Sequence, residues 1–395
     1  MRKVIPFQPT MLTLYPQMKI GIVLYPTFGG SGIVATELGK ALARKGHEIH
    51  FISYNQPVRL EHFDPNIRYH EVRPFHYPLF DYQPYELALT SKLVDVSIYE
   101  GLDLLHVHYA IPHASSAYFA KQILKTHGVE IPYITTLHGT DITLVGKHPA
   151  FEPVITFSIN QSDAVTVVSQ SLKDDTYKHF AIENGIEVIH NFVEHSKYHH
   201  EPTAEDLARK KELAPNGERV ICHISNFRKV KRLEDVVQVF KRIHDQIPSK
   251  LLLAGDGPER YKVEQLCKEL KLCDDVEMVG NIQSSEDMHS ISDLFLLPSE
   301  TESFGLAALE SLASGVPVIS SNAGGLPEVN KHGYSGYLSD VGNVDEMAKY
   351  AIEILKSDEM LAKFKRQAYE HSLNFSLDKI LPKYEAIYKR LVPTK

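Results

Sequence analysis

Asp293-Leu-Phe-Leu-Leu-Pro298 runs directly into Ser299-Glu-Thr-Glu302-Ser-Phe-Gly-Leu-Ala-Ala-Leu-Glu310-Ser-Leu-Ala-Ser-Gly315. The first part reads as a buried strand, and Ala307 to Ala313 has the apolar content of a helix that stops at Gly315. Glu302 then lies in the loop at the strand's end, and Glu310 about two turns into the helix. A strand, a short loop and a helix in this order is one step of a parallel α/β sheet, and the loop sits where such sheets bind ligands.

The chemistry of this step suits a sugar nucleotide. The amides of Phe304, Gly305 and Leu306 open a helix and can bind phosphate oxygens, and Gly305 permits close approach of a ligand to the backbone. Ionised Glu302 and Glu310 are acceptor-only groups, each able to take a pair of hydroxyl hydrogen bonds, one at a hexose and one at a ribose. The plainer alternative is a first-turn Glu that stabilises the helix dipole and a solvated Glu in mid-helix.

Working outward, short apolar runs alternate with helical patterns from Met18 to the end of the chain. The first series comprises Lys19–Tyr25, a helix near Val34–Arg44, Glu48–Ser53, Asp103–His108, a helix near Ser115–Leu124, Tyr133–Leu137, Ala164–Ser169 and Val188–His190. The second comprises Arg219–Ser225, a helix at Leu233–Ile243, Lys250–Ala254, a helix at Glu259–Leu270, Val276–Val279, a short helix at Glu286–Ile291, the Asp293 strand with its helix, Pro317–Ser320 and a helix at Val344–Leu355. Two Rossmann-like, doubly wound parallel-sheet domains are expected. Residues 1–17 form an N-terminal extension, 18–193 a first domain, 194–205 a polar, proline-containing linker, 206–374 a second domain and 375–395 a C-terminal helix. Loops at the carboxyl ends of both sheets are expected to face one interdomain cleft.

Composition narrows the class. A length of 395 residues suits two domains, and a net charge of −8 with mixed signs argues against a dedicated nucleic-acid surface. The three cysteines, Cys222, Cys267 and Cys273, form no C-x-x-C pair and read as packing thiols of a reducing compartment. No run reaches the ~18 apolar residues of a membrane span, and prolines at 6, 9 and 16 interrupt any signal-peptide core. A cytoplasmic protein without stable membrane association is expected.

Further motifs fall at strand ends. Gly30-Ser31-Gly32-Ile-Val-Ala35 satisfies G-x-G-x-x-A, yet Ser53-Tyr-Asn-Gln56 replaces the acidic residue a dinucleotide site needs after its second strand. What remains is a glycine loop for phosphate or acceptor. His106 and His108 point to one side of their strand by the two-residue period, but no third ligand is evident, so no metal is expected. His138, in Thr135-Thr136-Leu-His138-Gly-Thr140-Asp141, ends the next strand and is a plausible sugar contact. Ser225-Asn-Phe-Arg228-Lys-Val-Lys231-Arg232 lies between a strand and a helix, where cations can grip a diphosphate. Gly255-Asp-Gly-Pro258 and Gly324-Gly-Leu-Pro-Glu328 are turn chemistry by composition, with no direct role assigned.

The two-domain layout, the Glu302-x7-Glu310 pair, Lys231 and the two glycine loops together resemble the retaining family 4 glycosyltransferases of the GT-B fold. The likeness covers nearly the whole chain from Met18. Tyr25-Pro-x-x-Gly-Gly-Ser-Gly32, His106-Val-His-Tyr109-Ala-Ile-Pro-His-Ala114, the His138 segment and Asn226-Phe-Arg-Lys-Val-Lys-Arg232 are similar to members that move N-acetylglucosamine (GlcNAc) from UDP-GlcNAc to L-malate, the first step of bacillithiol biosynthesis. The resemblance implies Lys231, Glu302 and His138 at the reacting centre, with Gly30, Phe304, Gly305, Leu306 and Glu310 binding the donor. It implies Ser31, Tyr109, Thr136 and Arg228 at the acceptor, with Thr140 an alternative to Thr136. Many members carry Arg five residues before the phosphate lysine; here that residue is Asn226, so Arg228 serves either malate or the diphosphate. No cofactor, no obligatory metal and a homodimer are also implied. Competing readings are a cell-surface polysaccharide or lipid acceptor, a UDP-GlcNAc epimerase of the same architecture and a non-catalytic glycan-binding protein.

Overall fold

The computed structural model describes residues 17–393 apart from 28, 61–62, 76–78, 80–82, 145, 147 and 283. All of the expected N-terminal extension except Gln17 therefore lies outside the described residues. Seven strands, β1 (Lys19–Val23), β2 (Glu48–Ser53), β3 (Ile67–Glu71), β4 (Leu104–His108), β5 (Tyr133–Leu137), β6 (Ala164–Val167) and β7 (Ile186–Val188), form one sheet in the order β3-β2-β1-β4-β5-β6-β7. Six more, β8 (Arg219–Ile224), β9 (Ser249–Ala254), β10 (Val276–Gly280), β11 (Leu294–Leu297), β12 (Val318–Ser321) and β13 (Gly336–Ser339), form a second in the order β10-β9-β8-β11-β12-β13. The chain divides into two compact units, residues 1–135 with 161–163 and 386–395, and residues 136–160 with 164–385.

Both sheets reverse their strand order beside the first strand. Ile20 of β1 pairs in parallel with Ile49 of β2 and Leu104 of β4, and Ile221 of β8 with Leu251 of β9 and Leu294 of β11. In open parallel sheets the crevice at such a reversal is where ligands sit. The segments that follow β1, β4, β8 and β11 carry Ser31, Tyr109, Lys231 and Glu302.

Apolar patterning accounts for most elements. Val236, Val237, Phe240 and Ile243 recur at helical spacing in Leu233–His244 and are all buried against Ile221, Leu251 and Leu294. Glu234 and Asp235 in that helix's first turn and Lys241, Arg242 and His244 in its last complement its dipole. In the first unit, Val23, Ile52, Leu89, Val107 and Tyr133 share a core with the small residues Ala117 and Ala120 of Ser115–Thr126. A polar hub anchors the second sheet. Buried Asp293 accepts bonds from Lys210 Nζ at 2.6 Å, Lys365 Nζ at 3.0 Å and the Val220 amide at 3.0 Å.

Several expectations are corrected. The first helix spans Gly30–Arg44, so it begins in the glycine loop instead of at Val34, and β7 lies two residues ahead of the expected Val188–His190. The stretch 194–205 holds a 3₁₀ turn at His195–Lys197 and the N-cap Thr203, which forms a reciprocal capping box with Asp206. Cys273 is exposed, whereas Cys222 and Cys267 are buried. Among the described residues no helix is long and apolar enough to cross a membrane.

Candidate active site

In the second unit, Lys231 closes a 3₁₀ turn, Lys229–Lys231, in the segment that follows β8. Its Nζ is hydrogen-bonded to Glu302 Oε1, and Ser299 Oγ donates to the same oxygen at 3.3 Å. The two loops are also tied through main chain, since the Glu300 amide donates to Val230 O at 2.8 Å. An ammonium and a carboxylate, both largely shielded, therefore stand together at the carboxyl ends of adjacent strands.

Beside them the helix Leu306–Ala313 begins, with Gly305 as its N-cap at φ +95°. The positive φ is what calls for glycine there, since an added Cβ would meet only the tip of the flexible Leu326 side chain, with Cδ2 at 2.6 Å. The first-turn amides have no partner within the helix and carry the positive end of its dipole. The Phe304 ring is buried between His190 and Phe375, each with its centroid 5.8 Å away, so its amide is the part that can face an anion.

Glu310 is buried, and its two oxygens accept from Tyr198 Oη and Ser285 Oγ, both at 3.0 Å. This is not the solvated mid-helix Glu of the plainer reading. An ionised carboxylate is an acceptor-only group, suited to hydroxyl donors such as these.

Also in this unit, His138 is buried at the end of β5. The next residue, Gly139, has φ +111°, and an added Cβ would lie 1.7 Å from Ser303 Oγ. That contact sets the His138 segment against the residue following Glu302. Thr136, by contrast, is fully buried and shares a 2.6 Å bond with Thr166 Oγ1, while Thr140 is exposed. Arg228 is exposed.

In the first unit, Gly30 and Ser31 begin the helix after β1, and Tyr109 follows β4. Tyr109 Oη donates to Ser31 Oγ at 2.7 Å. Tyr109 holds φ +84° and ψ 142°, a conformation that L residues rarely adopt and that clusters at binding sites. Its ring meets Tyr25 edge-on at 5.3 Å. His106 and His108, the histidine pair at the end of β4, are both buried with rings stacked at 4.6 Å; His106 Nδ1 bonds to Tyr388 Oη at 2.8 Å.

Sequence reasoning missed the supports. Gly255, at φ +124°, would place a Cβ 1.7 Å from Ser225 O, and the Phe227 amide donates to Asp256 O at 2.9 Å, so the Gly-Asp-Gly-Pro loop carries the backbone of the Arg228 and Lys231 segment. Gly324 would place a Cβ 2.0 Å from Glu302 O, and the Gly325 amide donates to that oxygen at 2.8 Å. Glu328 accepts from the amides of Gln170 and Ser171 at 2.8 and 2.9 Å and from His190 Nε2 at 3.0 Å. Burial acts to raise its pKa, but the bonds from His190, Ser171 and Gln170 outweigh this and hold the carboxyl below its ordinary value. His223 spans Leu296 O and Ser225 Oγ, each at 2.7 Å, and burial lowers its pKa to about 4, so it stays neutral. Glycine-rich spacing was the signal for the loops; nothing in the sequence singled out Tyr198, Ser285 or His223.

Two Rossmann-like sheets, with a Lys–Glu pair beside the N-terminus of a helix, define a nucleotide-sugar glycosyltransferase of the GT-B class. Comparisons with known proteins agree. Residues 28–197 match the model for Glycosyltransferase Family 4, and residues 204–371 that for Glycosyl transferases group 1. The chain is 47% identical over 375 residues to N-acetyl-alpha-D-glucosaminyl L-malate synthase of Bacillus anthracis, covering 94% of this chain and 97% of that protein. The crystal structure of Anabaena HepE in complex with UDP and glucose superposes with a TM-score of 0.80 at 19% identity, over 95% of this chain and 100% of that one. Sucrose-phosphate synthase from Thermosynechococcus elongatus gives a TM-score of 0.77 at 22% identity, over 95% and 99%. The chain belongs to the retaining family 4 glycosyltransferases, in the group represented by the B. anthracis L-malate synthase.

Proposed function

We propose that this enzyme transfers GlcNAc from UDP-GlcNAc to the hydroxyl of L-malate, giving GlcNAc-α-malate and UDP as the first step of bacillithiol biosynthesis. The observation that carries the reading is Lys231 Nζ bonded to Glu302 beside the Gly305 helix start, in a chain nearly half identical to a protein of that name. In this reading the bond from the sugar's anomeric carbon to the diphosphate oxygen breaks, and its electron pair stays on that oxygen. The malate hydroxyl oxygen bonds to the same face of the carbon, and its proton passes to the departing oxygen. No protein nucleophile is needed, and the two glutamates do not take the acid and nucleophile roles of retaining glycosidases.

Each residue then has a task. The amides of Phe304, Gly305 and Leu306 and the ammonium of Lys231 stabilise charge developing on the diphosphate. Glu302 and His138 hold the GlcNAc, Glu310 the ribose, and Gly30 lends a backbone surface to the donor. Ser31, Tyr109, Arg228 and one of Thr136 and Thr140 receive L-malate; Thr140 is exposed and Thr136 buried. Reaction without an obligatory metal, a cytoplasmic location and a homodimer complete the proposal.

The test is UDP release from UDP-GlcNAc with chelator present, comparing L-malate, D-malate, inositol phosphate and no acceptor, with the product mass determined. Release together with a GlcNAc-malate mass only with L-malate supports the assignment. Equal release without acceptor would sink it in favour of hydrolysis or epimerisation.

A further inference from the structure

A cluster in the first unit is not used by the transferase chemistry. His50 on β2, His70 on β3 and Glu100 at the last turn of the helix Tyr85–Glu100 each bring one potential ligand atom to within 4.8 Å of the other two. His50 Nδ1 and His70 Nε2 are 2.9 Å apart, with the ring planes inclined by only 13°. Four-coordinate zinc with metal–nitrogen bonds of about 2.0–2.1 Å separates its ligand atoms by roughly 3.3 Å. At 2.9 Å the two nitrogens share a hydrogen bond, and an ion taking the place of the shared proton would part them by only about 0.4 Å. Glu100 ends its helix and is only partly buried, so a side-chain rotation can bring its carboxylate in.

The surrounding charges are mixed. Glu48 Oε1 lies 3.3 Å from His50 Nε2, which is buried and lacks hydrogen-bond geometry to any described residue. Arg68 Nε binds Glu48 Oε1 at 2.9 Å and stands 3.9 Å from Glu100 Oε2, so it is matched chiefly with Glu48. Imidazole binds metal in its neutral form.

We infer that His50, His70 and Glu100 form a structural site for a borderline divalent metal ion of the zinc class, with an exchangeable water as fourth ligand. Two imidazoles and a carboxylate suit zinc better than magnesium or calcium, which favour all-oxygen sites. Lys19 Nζ donates to Glu100 O at 2.8 Å, His50 pairs in register with Gly21 of β1 and His70 with Ile52 of β2, so the cluster sits on strand residues of the sheet and shares none of the loop and helix-start positions of Ser31 and Tyr109. The ion would fasten edge strand β3 to β2 and to the helix before β4 without entering the transfer reaction.

The experiment uses the full chain stripped with chelator and titrated with zinc by calorimetry, and with cobalt(II) by absorption. The comparison is with His70→Ala and Glu100→Gln. One tight equivalent is expected in the parent, with tetrahedral cobalt bands and a zinc-dependent rise in melting temperature. Each variant should bind at least about a hundredfold more weakly, since even outer partners of a ligand are worth 10–100-fold. UDP release in chelator should be unaffected in either variant, which also reports that each is folded. If His70→Ala does not fold, Glu100→Gln decides alone. Equal zinc affinity and stoichiometry in the parent and Glu100→Gln, or no binding to the parent at micromolar zinc, would overturn the inference.

Discussion

Lys231 and Arg228 are three residues apart, and the structure gives them different surroundings. Lys231 is partly buried against Glu302, while Arg228 extends into solvent. A preorganised cation at a developing charge is worth roughly 2.7–4 kcal/mol, a hundredfold to a thousandfold in turnover. Lys231→Ala should lose that much in kcat, and near-normal turnover at saturating substrates would remove Lys231 from the chemistry. Arg228→Ala should instead raise the KM for L-malate, because a dianion needs a local positive field. A rise confined to the UDP-GlcNAc KM would reassign Arg228 to the diphosphate. Glu310 is legible in the sequence as half of a spaced pair. Its hydroxyl partners are not, because Tyr198 and Ser285 lie 112 and 25 positions away and no local pattern marks a residue that acts by folding back.

At the level of elements, β2 and β5 are legible with their full bounds, because unbroken or β-branched apolar runs between turn residues admit little else. The edge strand β3, Ile-Arg-Tyr-His-Glu, escapes notice since it is polar and its burial is only partial. The helix Tyr85–Glu100 escapes for another reason: Leu87, Leu93, Ile98 and Tyr99 spread apolar side chains around it, and Leu87 and Tyr99 are well exposed. The glycine loops are legible as turns, but not as supports, since a turn's sequence does not reveal what lies against it. Gly255→Ala tests that support. With φ at +124° and a Cβ 1.7 Å from Ser225 O, the alanine must displace the loop bearing Lys231. The expected outcome is a drop in kcat of at least about tenfold with a cooperative thermal transition retained, the size that a misplaced charge-stabilising group implies. Full activity would show that the loop adapts.

For the whole molecule, acid stability is set by groups that fold in their uncharged or hydrogen-bonded forms. Burial lowers the pKa of His113 and His223 to about 4 and that of His289 to about 3, from an ordinary 6.5. Because the unfolded chain takes up these protons first, their contribution is present above pH 6.5 and is lost progressively as pH falls towards 4. Asp293 adds to the decline at lower pH: burial opposes its ionisation, but Lys365 and Lys210 outweigh this and depress its pKa below the ordinary 3.8. The melting temperature should be level near neutrality and decline from about pH 6.5 downwards, and an unchanged value from pH 7 to 4.5 would refute this. Removing the hub's carboxylate by Asp293→Ala leaves two lysines uncompensated and should cost about 3–5 kcal/mol, measurable by urea unfolding. The close contacts of Gly139 with the Ser303 side chain and of Gly255 and Gly324 with the backbone at Ser225 and Glu302 bear on enzyme engineering. A library seeking new donor sugars should hold these three codons fixed and diversify side chains such as His138, since substitutions at the glycines would mostly return misplaced loops rather than altered specificity.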